Sequence, residues 1–271
     1  MSKLDGALYE IHHMDTVASR DQWVNKIHPL VKLLITIGFI AATVSFDKYD
    51  LVGLLRMGVY LIAIFILGEV SFTDSIRRLR VVLPLVCFVG IFNPFFDRQP
   101  LFRLGGFVVS SGMVSMVTLM IKGIYSVLAS YLLIATTSIE KICYALRLLH
   151  VPSILVTQIL LTYRYVTVLL GEANRITQAY SLRAPGQKGI HFKAWGSLVG
   201  QLLLRSMDRA NEVYDSMRLR GYQGDYGYLR NSLIFRWSDA LYFLFWIGIL
   251  VLFRLFPVIL VIGNLIGGFL I

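Results

Sequence analysis

Gln178-Ala-Tyr-Ser-Leu-Arg-Ala-Pro-Gly186 and Asp215-Ser-Met-Arg-Leu-Arg-Gly-Tyr222 close two amphipathic runs inside one long polar interlude, Ser138 to Tyr222, of an otherwise apolar chain. Each run ends in leucine, arginine and a small residue: Leu182-Arg183-Ala184 and Leu219-Arg220-Gly221. Arginine in a last turn favours the negative end of the helix dipole, and glycine or Pro-Gly stops the helix. For one such end that dipole, worth about 0.3–1 kcal/mol, is explanation enough. Two of them, 37 residues apart and with the same neighbours, look like two handles for one acidic partner.

Three helices are expected in the interlude. Ile139, Ile142, Cys143, Leu146 and Leu149 recur at i, i+3, i+4, i+7 and i+10, the spacing of a short amphipathic helix. Val151-Pro152 starts a second, which runs through Thr162-Tyr-Arg-Tyr165 to about Leu182. The third covers Trp195 to Arg220. Val199, Leu203, Ala210, Val213, Tyr214 and Met217 form its apolar stripe, and Arg205, Asp208, Arg209, Glu212 and Asp215 its polar side. Such helices pack on each other and on a membrane face without a large core of their own.

The flanks exclude a soluble protein. Hydrophobic residues make up 56% of the 271, and the mean hydropathy is +0.68. Several runs reach the roughly 20 residues that cross about 30 Å of hydrocarbon as a helix. They are continuous rather than alternating, which favours helices over a membrane barrel. Spans are expected at Pro29–Phe46, Tyr49–Gly68, Val81–Phe96, Phe107–Thr137 and Trp237–Phe256, with Pro257–Ile271 a return hairpin or a membrane-edge tail. The third run is expected to break near Asn93-Pro94, because proline frees a backbone carbonyl. Glu69–Arg80 reads as a short polar connection on the cytoplasmic side and Asp97–Gly106 as a small external loop. The run 107–137 would be roughly 46 Å of helix, too long for an upright span, so it either tilts or breaks near Gly123.

Charge fixes the sidedness. The net charge of +10 matches the accumulation of Lys and Arg on the cytoplasmic face and needs no nucleic acid. Residues 138–230 carry twelve bases against six acids, which places the interlude in the cytoplasm. The N-terminal 1–28 segment is polar and reads as an interfacial stretch with Trp23 at headgroup level. His12-His13 makes a poor local chelate, since neighbours on a helix point about 100° apart. Cys87 and Cys143 have no metal or disulfide spacing. No Walker A, GxGxxG, HExxH or GxSxG motif is present, and the membrane runs hold almost no carboxylates. Lys122, inside an apolar run, is a functional candidate by default, or else it faces water or a partner subunit.

With these residues in view, the chain resembles the transmembrane T component of energy-coupling factor (ECF) transporters, in its cobalt-type, CbiQ-like branch. The resemblance rests on the two Leu-Arg-small ends, on Leu149-His-Val-Pro152, and on Tyr163-Arg-Tyr165 leading to Glu172-Ala173. It also rests on an opening of Asp15-Thr-Val-Ala-Ser19, Trp23, His28-Pro29 and Lys32-Leu33. Lys122 falls where the family commonly has arginine, and Ala184 stands where its tail commonly has glycine.

The resemblance implies an all-α polytopic membrane protein with about five transmembrane helices and a cytoplasmic coupling domain of three amphipathic helices. Its expected parts are 1–28, an interfacial segment; 29–137, transmembrane helices; 138–222, coupling helices; and 223–271, a C-terminal transmembrane segment. It implies a non-catalytic subunit in a bacterial cell membrane, with a cytoplasmic N-terminus and no bound cofactor or metal. ATP and magnesium would be held by two cytoplasmic ABC ATPase subunits, and substrate by a membrane-embedded S component. Leu182, Arg183, Ala184, Leu219, Arg220 and Gly221 would engage the ATPases, and Lys122, Pro152 and Arg164 the S component. Cobalt or nickel is the implied cargo, with a T component shared among vitamin S components as the alternative. A stand-alone carrier or a membrane enzyme would need intramembrane acids or histidines that the chain lacks.

Overall fold

The computed structural model describes residues 3–20, 22–96, 100–104, 107–186, 189–224 and 235–255, and it is helical apart from one hairpin. Its contacts divide the chain into two compact units. One joins residues 18–137 with 234–271; the other joins 1–17 with 138–233. The chain passes between them at 17/18, 137/138 and 233/234. The N-terminal stretch, expected as a single segment, is shared between the two units.

The first unit holds α2 (Trp23–Lys26), α3 (Pro29–Val44), α4 (Leu51–Leu67), α5 (Phe72–Gly90), α6 (Asn93–Phe96), the strands β1 (Pro100–Leu104) and β2 (Phe107–Ser110), α7 (Ser111–Thr136) and α11 (Trp237–Leu255). Helix α7 is its axis, packing against α3, α4, α5 and α6, while α11 packs on α3 and α4. Phe39 is fully buried, stacks on Tyr60 at 4.6 Å and sits with Ile35, Leu54, Met57 and Leu132 in the core; Trp246 meets Tyr60 edge-on at 4.9 Å. Val52, Leu55, Val59, Ile62 and Ile66 of α4 face outward as an exposed apolar stripe.

Three sequence expectations are decided, corrected or refined here. The run 107–137 does not break near Gly123: its first residues pair as β2 with β1, and Ser111–Thr136 is one 26-residue helix. Glycine at 123 serves close packing instead, because a Cβ there would meet Val86 of α5 at 3.0 Å. The polar connection 69–80 is largely helical, since Phe72–Arg80 forms the first turns of α5, which continues past Pro84 to Gly90. Part of the expected external loop is the antiparallel hairpin β1–β2. The remaining boundaries of α3, α4 and α11 fall within about two residues of expectation. The stretch Pro257–Ile271, expected as a return hairpin or a membrane-edge tail, lies outside the described residues.

The second unit holds α1 (Lys3–Ala18), α8 (Ile139–Leu148), α9 (Ser153–Arg183) and α10 (Phe192–Leu219). Helix α8 packs on α9, and α9 on α10. The Tyr163 hydroxyl of α9 donates to the Asp15 carboxylate of α1 at 2.7 Å. This unit is thinly packed: α10 buries no residue across 28, and α9 buries only Val156 and Thr157. By length and composition α7, α9 and α11 are able to cross a membrane, and α3 and α4 are shorter apolar helices. The chain is thus a mostly helical, multi-pass membrane protein.

Candidate coupling site

Both arginine tips belong to the second unit, at the ends of α9 and α10. Arg183 and Arg220 are exposed, and among the described residues neither guanidinium has a hydrogen bond or an ion pair. The leucine before each is exposed as well, 82% for Leu182 and 89% for Leu219. An apolar side chain that far out contributes nothing to the fold of its own helix, so each tip presents a cation and an unburied apolar group together.

The two tips are built differently. At the end of α10 the backbone closes a complete Schellman motif: Tyr222 N–H reaches Met217 O at 3.0 Å and Gly221 N–H reaches Arg218 O at 2.9 Å. Gly221 adopts φ +81°, which a side chain would resist. At the end of α9 the cap is Ala184 at φ −124°, with one bond from its N–H to Tyr180 O at 3.1 Å. Pro185 has no N–H to give, so the reversal is deferred to Gly186 at φ +95°. Alanine for glycine therefore changes the stop and leaves Arg183 in the last turn.

Behind the tips, α9 and α10 enclose a groove of about 510 Å³ whose floor is largely apolar. Leu161, Tyr165 and Leu169 line one wall and Ala210, Val213 and Met217 the other. Glu172 of α9 forms an ion pair across to Arg205 of α10, and Tyr180 Oη accepts from His191 N–H at the other end of the connection. His191 in turn caps α10, its Nδ1 accepting from Lys193 N–H at 3.4 Å.

The remaining candidates sit apart from the tips. Pro152 is the exposed residue just before α9, and Arg164 is exposed on the same helix. Lys122, on α7 in the other unit, donates to Val44 O at 3.0 Å and also to Phe46 O, closing the C-terminal end of α3. Arg254 of α11 adds a bond to Ser45 O at 3.3 Å and lies 5.0 Å over the Phe46 ring. No group of three or more His, Cys, Asp or Glu side chains converges as a metal site among the described residues.

Sequence reasoning missed His150. It ends α8 at φ +64°, with Val151 N–H on Leu146 O and its own N–H on Arg147 O, the same Schellman closure as α10 without the glycine. Pro152 two residues on was the available signal. Cys143 of α8 is buried, and its thiol is pushed up by burial and by the Glu140 carboxylate nearby.

Comparison with known proteins adds to this geometry. The family profile described as CbiQ, cobalt transport protein, matches residues 20–229. The chain is 25% identical over 240 residues to the energy-coupling factor transporter transmembrane protein EcfT of Listeria innocua, spanning 81% of this chain and 88% of that one. It is 27% identical over 221 residues to the cobalt transport protein CbiQ of Rhodobacter capsulatus, 79% of this chain and 86% of that one. A shorter match, 29% over 91 residues, covers 34% of this chain and 33% of the nickel permease LarQ of Lactiplantibacillus plantarum.

Proposed function

The chain belongs to the CbiQ family of cobalt transport proteins and is a non-catalytic transmembrane component of a transporter, and from that premise we propose how it works. It is the coupling subunit of an ATP-driven ECF importer, passing motion from two cytoplasmic ABC ATPases to a membrane-embedded S component. The carrying observation is the pair of exposed guanidinium groups, unpartnered among the described residues and each beside an exposed leucine, on two helix ends of one unit.

In this reading 1–28 is interfacial, 29–137 and 223–271 hold the transmembrane helices, and 138–222 is the cytoplasmic coupling domain. Twelve bases against six acids in 138–230 support that side for α8–α10. Helix α9 is apolar enough to span, yet it clusters with α8 and α10, which supports counting it in the coupling domain. The N-terminus is cytoplasmic.

Arg183 and Arg220 each enter a groove on one ATPase subunit and pair with carboxylates there. Arginine suits the task because it stays charged and its planar fork accepts a carboxylate bidentately. Leu182 and Leu219 supply the apolar collar that dries the contact, while Ala184 and Gly221 keep the tip narrow. Losing such a contact costs about 2–5 kcal/mol when the partner acid stays buried. Closure of the ATPase pair on ATP draws the two tips together. The apolar groove between α9 and α10 then changes width, and the S component rests on that surface, with Pro152, Arg164 and Lys122 as its further contacts.

The cargo is cobalt or nickel, supported by the names of the CbiQ and LarQ relatives. The alternative that the resemblance raises is a T component shared among vitamin S components; the EcfT relatives, whose match covers most of both chains, are named for no metal. Copurification tests the coupling role: Arg183→Glu with Arg220→Glu is expected to release the ATPase subunits and abolish uptake. Normal uptake by that double variant refutes it. Lys122→Met is expected to weaken S-component retention in a pull-down while leaving ATPase binding intact.

A further inference from the structure

Helix α7 hands the chain from one unit to the other, and it ends without a stop of its own. Its cap Thr137 is extended at φ −143°, and neither Thr137 nor Ser138 takes the left-handed backbone that closes α8 and α10. A side chain from 104 residues away closes it instead. The Lys32 ammonium of α3 donates to Thr136 O at 2.8 Å and to Thr137 Oγ1 at 3.2 Å. Lys32 is 5% exposed, Thr136 3% and Thr137 1%. A glycine at position 138 would end a helix without burying a charge, so the ammonium is a costly way to do only that.

What the lysine adds is a tie to α3. Lys32 is the fourth residue of that helix, whose start is itself fixed by His28 N–H on the buried Asp239 carboxylate of α11 at 3.2 Å. The end of α7 is thereby joined to α3 and, through it, to α11. Only Thr137 and Ser138 separate α7 from α8, and Ser138 is already the N-cap of α8. A pull on α8 reaches α7 through two residues, and the last turn of α7 is where it would be dissipated by fraying.

We propose that Lys32 is a positioning residue for energy coupling, resting on the coupling role given above. It pins the last turn of α7 to α3, so that movement of α8 is delivered to the membrane unit and not lost in unwinding. It touches neither nucleotide nor cargo.

The test uses the full complex, with ATPase subunits and S component, in liposomes and with radiolabelled cobalt as probe. Lys32→Met removes a buried charge without adding bulk. It is expected to keep the complex and its basal ATPase rate while uptake per ATP hydrolysed falls about tenfold. Amide exchange is expected to quicken over residues 133–140, and Lys32→Arg is expected to restore part of both. Uptake per ATP within about twofold of the unmodified complex overturns the proposal, as does quickened exchange spread evenly over α3, α4 and α11. If Lys32→Met does not accumulate, Thr137→Val is judged by the same two readouts. A complex from which the unmodified chain fails to retain ATPase subunits refutes the coupling role itself, and the exchange experiment then still decides whether Lys32 pins α7.

Discussion

Helices α7 and α10 are nearly the same length and end in opposite ways. Helix α10 is closed by its own backbone, with Gly221, Tyr222, Arg218 and Met217 all within six residues. Helix α7 is closed by Lys32, and α3 by Lys122 and Arg254, all from distant parts of the chain. The difference follows the two units. In that first unit the C-terminal ends of α3 and α7 depend on a neighbour, so neither can shift without breaking bonds to another helix. In the other unit α8 and α10 carry their own stops, and α10 buries no residue.

The contrast is broken most severely at Asp239. Its two oxygens accept from His28 N–H at 3.2 Å and Arg236 N–H at 2.9 Å, so Asp239→Ala strands two donors. A loss of about 3 kcal/mol is expected, read as a lower thermal midpoint of the detergent-purified protein and faster exchange at the starts of both α3 and α11. Gly221→Val is the matching break in the other unit. At φ +81° a β-branched residue is strained by about 2 kcal/mol, and faster amide exchange should stay within residues 215–222 while ATPase retention weakens. Exchange that also rises in α7 would contradict the independence of α10.

His150→Gly sharpens the comparison in the other direction. Histidine at φ +64° occupies a position that glycine takes without strain, so the variant should stabilise the end of α8 by up to about 1 kcal/mol. Slower exchange over residues 146–151 is the check. Glu172→Gln removes the carboxylate that pairs with Arg205 across α9 and α10, a partly exposed contact worth less than about 1 kcal/mol. Thermal stability should barely move, and a large drop would mean that α9 and α10 do not repack freely.

The smallest expected effect is a proton's. Burial holds the His28 imidazole below its ordinary 6.5, with the Asp239 carboxylate partly opposing. The unfolded chain therefore binds the proton more readily, and stability present above pH 6.5 is lost as the pH falls below it. A thermal midpoint that declines over that window, and less so in His28→Gln, is the expected signature.

The apolar helices were legible because continuous hydrophobic runs bounded by polar residues admit few alternatives, and α3, α4 and α11 fall where those runs do. Both Leu-Arg ends were legible because helix stops are written locally, as Gly221 and Pro185-Gly186 show. Phe72–Arg80 was misread as a connection because charge was taken for loop, whereas α5 begins as an amphipathic helix and turns apolar only further on. The caps from Lys32 and Lys122 were invisible for a different reason. Each joins residues at least 76 positions apart, and no local spacing encodes which carbonyl a lysine will reach.

Leu182 and Leu219 stand almost fully out of the fold beside their arginines. A copy of this chain on its own carries two sticky, cationic prongs. Exposed apolar groups of that kind promote unwanted association, so the isolated chain is expected to behave better once both tips are covered.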